Sequence, residues 1–195
     1  MRVAPGVPLR LSDGPYPFDE PPDLVRVTAV GDRLQLLREH LVSLCRPWDK
    51  LAPLFLERYF AGIAAAIGRG RNELQALAAR GGGLFEPVDW SFAAFRPLPQ
   101  AHLSTDPPAR AEIAFWTGAR AVAIAFDGST SLTRQERENR ARIAQSGAEL
   151  VGIPARALSD GGDLLALLPP VFARFWDGVR WPSSPFGPDA LSELL

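Results

Sequence analysis

The sequence predicts an α/β protein, in which a helical N-terminal part is followed by a mixed sheet of four or slightly more strands. Apolar residues recur every three or four positions between residues 31 and 86, which is typical of amphipathic helices. From Val88 the apolar spacing changes to every second position, which is typical of strands with one buried face. A capping pattern at Thr133 indicates the start of a polar helix, which separates the last strand from the others.

Three helices are expected in the N-terminal part, because each apolar stripe is bounded by residues that begin or end helices. Proline at position 53 is tolerated in the first turn of a helix, and glycines at 68 and 70 favour an end. The expected helices run from Asp32 to about Cys45, from near Pro53 to Gly68, and from Asn72 to Arg80.

The second half is expected to alternate strands with two helices. Pro97 and Pro99 lack amide donors, so they exclude the first strand from the middle of a regular sheet. Alanines at every second position of the third strand leave a face that a helix can approach closely. The expected strands cover Ser91 to Leu103, Ala111 to Trp116, Arg120 to Asp127 and Ala148 to Ala155, and the helices cover Thr133 to Ser146 and Leu164 to Trp176. The proline pair at 169 and 170 is expected to break or kink the last helix.

These elements are expected to form one compact domain with four segments. A proline-rich extended arm covers residues 1–30 and includes one short strand such as Leu24 to Val30. A helical segment covers 31–86, an α/β core covers 87–178, and a Pro/Ser tail covers 179–195.

Composition excludes several classes of function. The net charge of −1, from 21 basic and 22 acidic residues, argues against a dedicated nucleic-acid or membrane-surface protein. Cys45 is the only cysteine, so neither a disulfide framework nor a cysteine-rich zinc site is expected. The chain opens with no apolar signal segment and contains no run of 18 apolar residues. We therefore expect a cytoplasmic protein.

Four consecutive segments resemble the core of a known superfamily. They are Glu112 to Trp116, Ala121 to Gly128, Arg137 to Ile143 and Gly147 to Ile153. Together they resemble the αβββαβ core of the restriction-endonuclease-like PD-(D/E)XK superfamily, and most closely its very-short-patch-repair-like branch. The resemblance implies a site in which two carboxylates hold Mg²⁺ and a lysine orients the attacking water.

The same resemblance shows where this chain departs from an active nuclease. Glu112 falls at the position of the first metal-binding acid, Ala125 at that of the second, and Asp127 at that of the lysine. An alanine methyl group cannot bind a metal, and Lys50, the only lysine, lies outside the core segment. We therefore expect a degenerate site without a cofactor and favour a protein that is not an enzyme. Glu112 and Asp127 would bind Mg²⁺ only as a displaced pair, with His102 or Glu136 as a further candidate ligand.

Structural interpretations of the same residues stay open. Glu112 fits a solvated strand carboxylate, Asp127 fits an Asp-Gly turn, and His102 fits a loop histidine. The arginines of the helix from Thr133 to Ser146 fit a self-neutralised exposed helix. Its expected pairs are Glu136 with Arg140 and Glu138 with Arg142.

The favoured hypothesis is a non-catalytic accessory protein that recognises a peptide or protein partner, in a pathway such as the biosynthesis of a ribosomally made peptide. The edge strand with Pro97 and Pro99, or the strand near Leu24 to Val30, could accept an extended peptide by strand addition. The candidate binding residues are His102, Glu112, Trp116, Asp127 and Arg137.

Two alternatives remain. The first is a Mg²⁺-dependent DNA endonuclease that uses Glu112 and Asp127. The second is a structural subunit that forms an oligomer through the segment Trp176 to Phe186, where two tryptophans flank the start of the tail. Nucleic acid is the less favoured partner, and no membrane association is expected.

Overall fold

The protein is mixed α/β, as its sequence predicts, and contains a four-stranded mixed sheet. A computed structural model describes residues 6–12, 29–80, 86–127 and 132–177. The strands lie in the order β1-β2-β3-β4, with β1–β2 and β2–β3 antiparallel and β3–β4 parallel. The elements are α1 (Val30–Ser43), α2 (Leu51–Arg69), α3 (Arg71–Arg80), β1 (Leu98–Leu103), β2 (Ala109–Trp116), β3 (Ala121–Asp127), α4 (Arg134–Gln145), β4 (Glu149–Pro154) and α5 (Ala155–Ser159).

Helix α2 covers one face of the sheet with the apolar stripe that its sequence predicts. Phe55 and Tyr59 are almost fully buried, and the Tyr59 ring centroid lies 5.2 Å from that of Phe115 on β2. The Tyr59 hydroxyl donates a hydrogen bond of 2.7 Å to the Phe95 carbonyl, so the one polar atom of this buried ring is satisfied. Aromatic packing therefore fixes α2 on the sheet.

Helix α2 is also long and apolar enough to cross a membrane by length and composition alone. It has 19 residues, and half of the relevant window is buried inside the protein. Its buried face packs in the main core, so hydropathy is a weak indication of a membrane span here.

Helix α4 covers the other face through small side chains. Ile143 packs against a cluster of alanines that includes Ala111 and Ala114 on β2 and Ala123 on β3. This confirms that the alanine face of β3 admits a helix. The capping box is also confirmed, because the Thr133 hydroxyl accepts from the Glu136 amide while the Glu136 carboxylate accepts from the Thr133 amide.

The expected strand beginning at Ser91 is wrong over its first part. Residues Pro87–Ala93 form a 3₁₀ helix, and β1 begins only at Leu98. The 3₁₀ helix starts with a proline in its first turn and with a capping interaction between Glu86 and Asp89. Trp90, Ser91, Phe92 and Ala93 are all buried, so this segment does not show the alternating burial of a strand with one buried face.

The expected last helix, Leu164 to Trp176, is broken at its proline pair as the sequence indicates, but its parts are not α-helical. The chain forms two short 3₁₀ helices there, Leu164–Leu167 and Pro170–Phe172, because the proline pair at 169 and 170 prevents a continuous helix. The short helix α5, which the sequence did not indicate, follows Pro154.

Part of the proline-rich arm belongs to the core. The Leu9 amide donates to the Trp116 carbonyl at 3.0 Å, and Leu11 is 1% exposed. Val30 begins α1, so the expected strand does not extend to that residue. The rest of that strand, residues 24–28, and the tail from 178 to 195 lie outside the described residues.

Candidate functional site

A polar groove of about 880 Å³ lies between the loop that precedes α2, the β1–β2 edge of the sheet and helix α4. We call it the Glu112 groove. Side chains able to bind a ligand line it from all three elements. They are Lys50, Gln100, His102, Arg110, Glu112 and Arg142.

The floor of the groove is a local break in the sheet. Gln100 and Glu112 lie between the paired residues Pro99–Ile113 and Ala101–Ala111 of β1 and β2, and they are not paired with each other. Gln100 has a φ of 58°, in the left-handed region that residues other than glycine rarely adopt. Ala111 and Ala114 both pack on the α4 side, so the usual alternation is interrupted between them, at Glu112.

Gln100 lines this groove and has an unsatisfied side-chain amide. Its Nε2 and Oε1 atoms are both buried, and neither has a hydrogen-bond partner among the described residues. Leaving such a group unpaired costs about 1–3 kcal/mol. An amide donor and acceptor held side by side are available for a ligand.

The groove walls lie close enough to Glu112 to change the pKa of its carboxyl, although the residue is partly exposed to solvent. The pKa of its carboxyl is raised, mainly because the groove walls remove water and also because Asp49 is a nearby negative charge. Glu136 acts in the same direction, while Arg140 and Arg46 partly oppose it. Glu112 makes no hydrogen bond or ion pair within the described part of the chain.

The other two groove carboxylates have structural roles. Asp49 Oδ1 accepts hydrogen bonds from the amides of Leu51 and Ala52 at 3.0 and 3.1 Å, which caps α2. Glu136 accepts from Thr133 at the start of α4. Glu112 is therefore the groove acid whose carboxylate has no hydrogen-bond or ion-pair partner among the described residues.

Three basic groups line the groove without a carboxylate partner. Lys50, Arg110 and Arg142 form no ion pair within the described residues, and the buried Arg142 Nε has no hydrogen-bond partner there. A fourth, Arg46, stacks over the Trp48 ring at 5.4 Å, and Trp48 is 73% exposed at the lip. Lys50, remote from the core in sequence, thus reaches the groove that contains Glu112.

Asp127 is engaged elsewhere. Its Oδ1 accepts a hydrogen bond of 2.6 Å from Arg140 Nη2. Its Oδ2 covers Gly152 of β4 so closely that a Cβ there would lie 2.8 Å away. Asp127 is therefore fixed by a charge partner, and the turn that follows it, residues 128–131, lies outside the described residues.

The expected self-neutralised helix is wrong for two of its arginines. Arg140 pairs with Asp127 rather than Glu136, and Arg142 lines the groove rather than pairing with Glu138. Glu138 instead pairs with Arg134 at 2.7 Å. Arg140 therefore binds the end of β3, and Arg142 lines the groove.

The structure brings together only two of the five candidate binding residues. His102 and Glu112 line the Glu112 groove, whereas Asp127 and Arg137 are not among its lining residues. Trp116 lies at the far end of β2, where its indole Nε1 donates to the Val7 carbonyl at 2.8 Å. Trp116 therefore anchors the N-terminal segment.

The start of the segment proposed for oligomerisation is part of the core. Trp176 is 5% exposed, and its ring lies against Gly70. Its ring also contacts Phe175 at 4.9 Å between centroids. The remaining residues of that segment, from 178, lie outside the described part of the chain.

The residues present do not fit the Mg²⁺ pair that the nuclease resemblance implies. Ala125 is 9% exposed and has no ligand atom, and Asp127 is paired with Arg140. Within residues 6–12, 29–80, 86–127 and 132–177, no group of three histidine, cysteine or acidic side chains could hold a metal ion.

Lys50, Gln100 and Arg110 are groove residues that sequence reasoning missed. The alternation of prolines before Gln100 indicates an irregular strand, but it does not specify a left-handed φ. Comparisons with family models, with curated proteins and with solved structures find no match for this chain. Its function is therefore inferred from the chemistry of the groove.

Proposed function

We propose that this chain is a cytoplasmic, non-catalytic accessory protein that binds an extended peptide segment of a partner in the Glu112 groove. The observation that carries the proposal is a contrast between two acids. Asp127 is paired with Arg140 at 2.6 Å, while Glu112 stands unpartnered among the described residues in an open polar groove. Asp127 is therefore occupied by an internal partner, whereas the Glu112 carboxylate is open to a ligand.

The order of elements supports a degenerate nuclease-like core as the framework. Apart from α3 and the 3₁₀ helix that lie between α2 and β1, the order of α2, the antiparallel strands β1 to β3, α4 and the parallel strand β4 follows the αβββαβ order of the restriction-endonuclease-like resemblance. Pairing of β2 with β3 extends from Trp116 only to Ile113, opposite Ile124, so Glu112 lies just past its end. Divergent strand ends of this kind leave room for a ligand.

The dimensions and chemistry of the groove suit a short peptide. A volume of about 880 Å³ is within the range of sites that enclose small ligands or a few residues. Buried polar groups lie at its floor, and Trp48 lies at its lip. Tryptophan and arginine at the rim are common anchors of protein recognition.

Side chains, rather than continuous strand addition, would hold this peptide. β1 is an edge strand of the sheet, but Pro99 has no backbone N–H to donate and Gln100 has a φ of 58°. A regular ladder of hydrogen bonds along β1 is therefore interrupted in its middle. The Gln100 amide and the Glu112 carboxylate can supply the missing polar contacts.

Fluorescence anisotropy with a labelled pool of extended heptapeptides tests this proposal. We expect saturable binding that Glu112→Gln weakens about tenfold, because hydrogen bonds to a charged acceptor contribute about 1.5–3 kcal/mol. Glu57→Gln, on the exposed side of α2, is the matched control and should bind like the wild type. Absence of saturable binding for every peptide in the pool would contradict the proposal.

A Mg²⁺-dependent DNA endonuclease is the second candidate. It is favoured by Lys50, which lines the same groove as Glu112 although the motif position lacks a lysine. Incubation of supercoiled plasmid with the protein and Mg²⁺ separates the two candidates. Cleavage that both Glu112→Gln and Asp127→Asn abolish would establish the nuclease and overturn the accessory function.

A further inference from the structure

The charges of the Glu112 groove are not balanced by contacts within the chain. Four basic residues line it, namely Arg46, Lys50, Arg110 and Arg142. Asp49 and Glu136 use their carboxylates to cap helices. No basic groove residue has a carboxylate partner within the described residues, so the groove offers several cations to a ligand.

Arg142 is the best placed of these cations. It projects from α4, next to Ile143, which packs on the sheet and fixes the helix position. Its Nε is buried without a hydrogen-bond partner among the described residues. A guanidinium without an internal partner can bind a planar, two-oxygen acceptor such as a carboxylate.

Gln100 provides the second part of the recognition chemistry. Its buried Nε2 and Oε1 atoms form a donor and an acceptor in one plane, and both lack partners in the described structure. A peptide group presents the complementary acceptor and donor. The Gln100 amide can therefore bind the backbone of a ligand whatever its side chains, while Arg142 selects the charge.

We propose that the Glu112 groove selects acidic peptide segments, with Gln100 bound to a backbone peptide group and Arg142 and Lys50 bound to a neighbouring carboxylate. This inference rests on the proposed peptide-binding function and specifies its ligand class. Arg110 and the Arg46–Trp48 stack extend the basic surface toward the lip.

The groove favours a peptide over a nucleic acid because of its own acids. Asp49, Glu112 and Glu136 lie among the four cations, and a run of phosphates would meet all three negative charges. The chain as a whole carries a net charge of −1, so no general basic field attracts a polyanion. One or two carboxylates on a neutral backbone match this mixed charge.

The test compares two labelled peptides by fluorescence anisotropy, an Asp/Glu-containing heptapeptide and the same peptide with Asn/Gln. A single-stranded thymidine oligonucleotide is the third probe. We expect the acidic peptide to bind at least about tenfold more tightly than the neutral one, and its affinity to fall as salt rises.

Arg142→Met keeps most of the apolar stem. It should weaken binding of the acidic peptide about tenfold and leave binding of the neutral peptide unchanged. Arg156→Met, at an exposed position on α5 outside the groove, is the matched control and should bind like the wild type. Lys50→Met is a second, exposed groove variant that does not depend on the folding of the Arg142 variant.

The remaining outcomes distinguish the two levels of the proposal. Equal binding of acidic and neutral peptides would overturn the selectivity and leave peptide binding intact. Binding of neither peptide would overturn both. Tighter binding of the oligonucleotide than of the acidic peptide would overturn the inference in favour of a nucleic-acid ligand.

Discussion

Arg140 Nη2 on α4 donates a hydrogen bond of 2.6 Å to Asp127 Oδ1 at the end of β3. The pair ties the helix to the strand across the sheet end, and the Asp127 carboxylate also covers Gly152. An arginine thus occupies the coordination sphere that a metal ion would need. The pair gives Asp127 a structural role, although this acid lies near the expected catalytic position.

We expect the Asp127–Arg140 pair to contribute about 0.2–1 kcal/mol, because both side chains are partly exposed to solvent. A double-mutant cycle of Asp127→Asn and Arg140→Met, followed by denaturant unfolding, measures this coupling. Mg²⁺ at millimolar concentration should leave the Tm of the wild type unchanged. A Mg²⁺-dependent rise in Tm that is lost in Asp127→Asn would contradict the structural role.

Replacement of Gln100 by glycine should stabilise the fold and weaken binding. Glycine adopts a φ of 58° without strain and removes two buried unsatisfied atoms, so we expect a gain of about 1 kcal/mol. This corresponds to about 2–4 °C in Tm for a chain of this size. Peptide affinity should fall about tenfold.

Gln100→Ala is the matched control, since it removes the amide and keeps the strained backbone. It should lose the same affinity and gain less stability than Gln100→Gly. A residue with a purely structural role would lose stability in both variants, and that result would rule out a ligand-binding role for Gln100.

The Glu112 carboxylate should make stability depend on pH. Its pKa is raised in the folded protein, mainly by burial and then by Asp49, so the folded state binds this proton more tightly than the unfolded chain. Ionised Glu112 therefore costs stability above the ordinary glutamate pKa of about 4.3. The cost disappears at lower pH, where both states are protonated.

The measurement is the difference in Tm between Glu112→Gln and the wild type from about pH 3 to about pH 8. The variant should be more stable at neutral pH, and the difference should vanish well below the ordinary glutamate pKa. Glu57→Gln controls for the loss of one negative charge. A difference that does not change with pH would count against a desolvated Glu112.

Two glycines at the end of α2 should respond oppositely to alanine. A Cβ at Gly68 meets nothing within 4 Å, so Gly68→Ala should add up to about 1 kcal/mol of helix stability. A Cβ at Gly70 would lie 2.8 Å from the Trp176 ring, so Gly70→Ala should cost about 1–3 kcal/mol. Thermal unfolding of both variants checks this packing, and equal effects would contradict it.

Sequence reasoning was most accurate where burial repeats regularly. The stripe on α2 and the strands near Ile113, Ile124 and Val151 lie where their patterns predict, because each packs apolar side chains into a continuous core. It failed at Pro87–Ala93, where a 3₁₀ helix buries Trp90 and Phe92. Two buried aromatics two residues apart do not distinguish a strand from this helix.

The site was predicted only in part, for a different reason. Glu112 and His102 were candidates from their positions on strands, and both line the groove. Lys50 and Arg142 come from segments distant in sequence, and only tertiary packing brings them to it. The local pattern suggested carboxylate partners on α4 itself for the arginines of this helix, but Arg140 pairs with Asp127 on β3.

Zero-length crosslinking at Lys50 tests the central claim, acidic peptide binding in the Glu112 groove, most directly. Lys50 is the only lysine, and it lines the groove, so a carbodiimide can couple a bound peptide carboxylate to one ε-amine in the whole chain. Mass spectrometry then locates the adduct, with Lys50→Arg and the neutral peptide as controls. We predict a peptide adduct on the fragment that contains Lys50. Saturable binding of the acidic peptide with no adduct at Lys50 would place the ligand elsewhere and contradict the account.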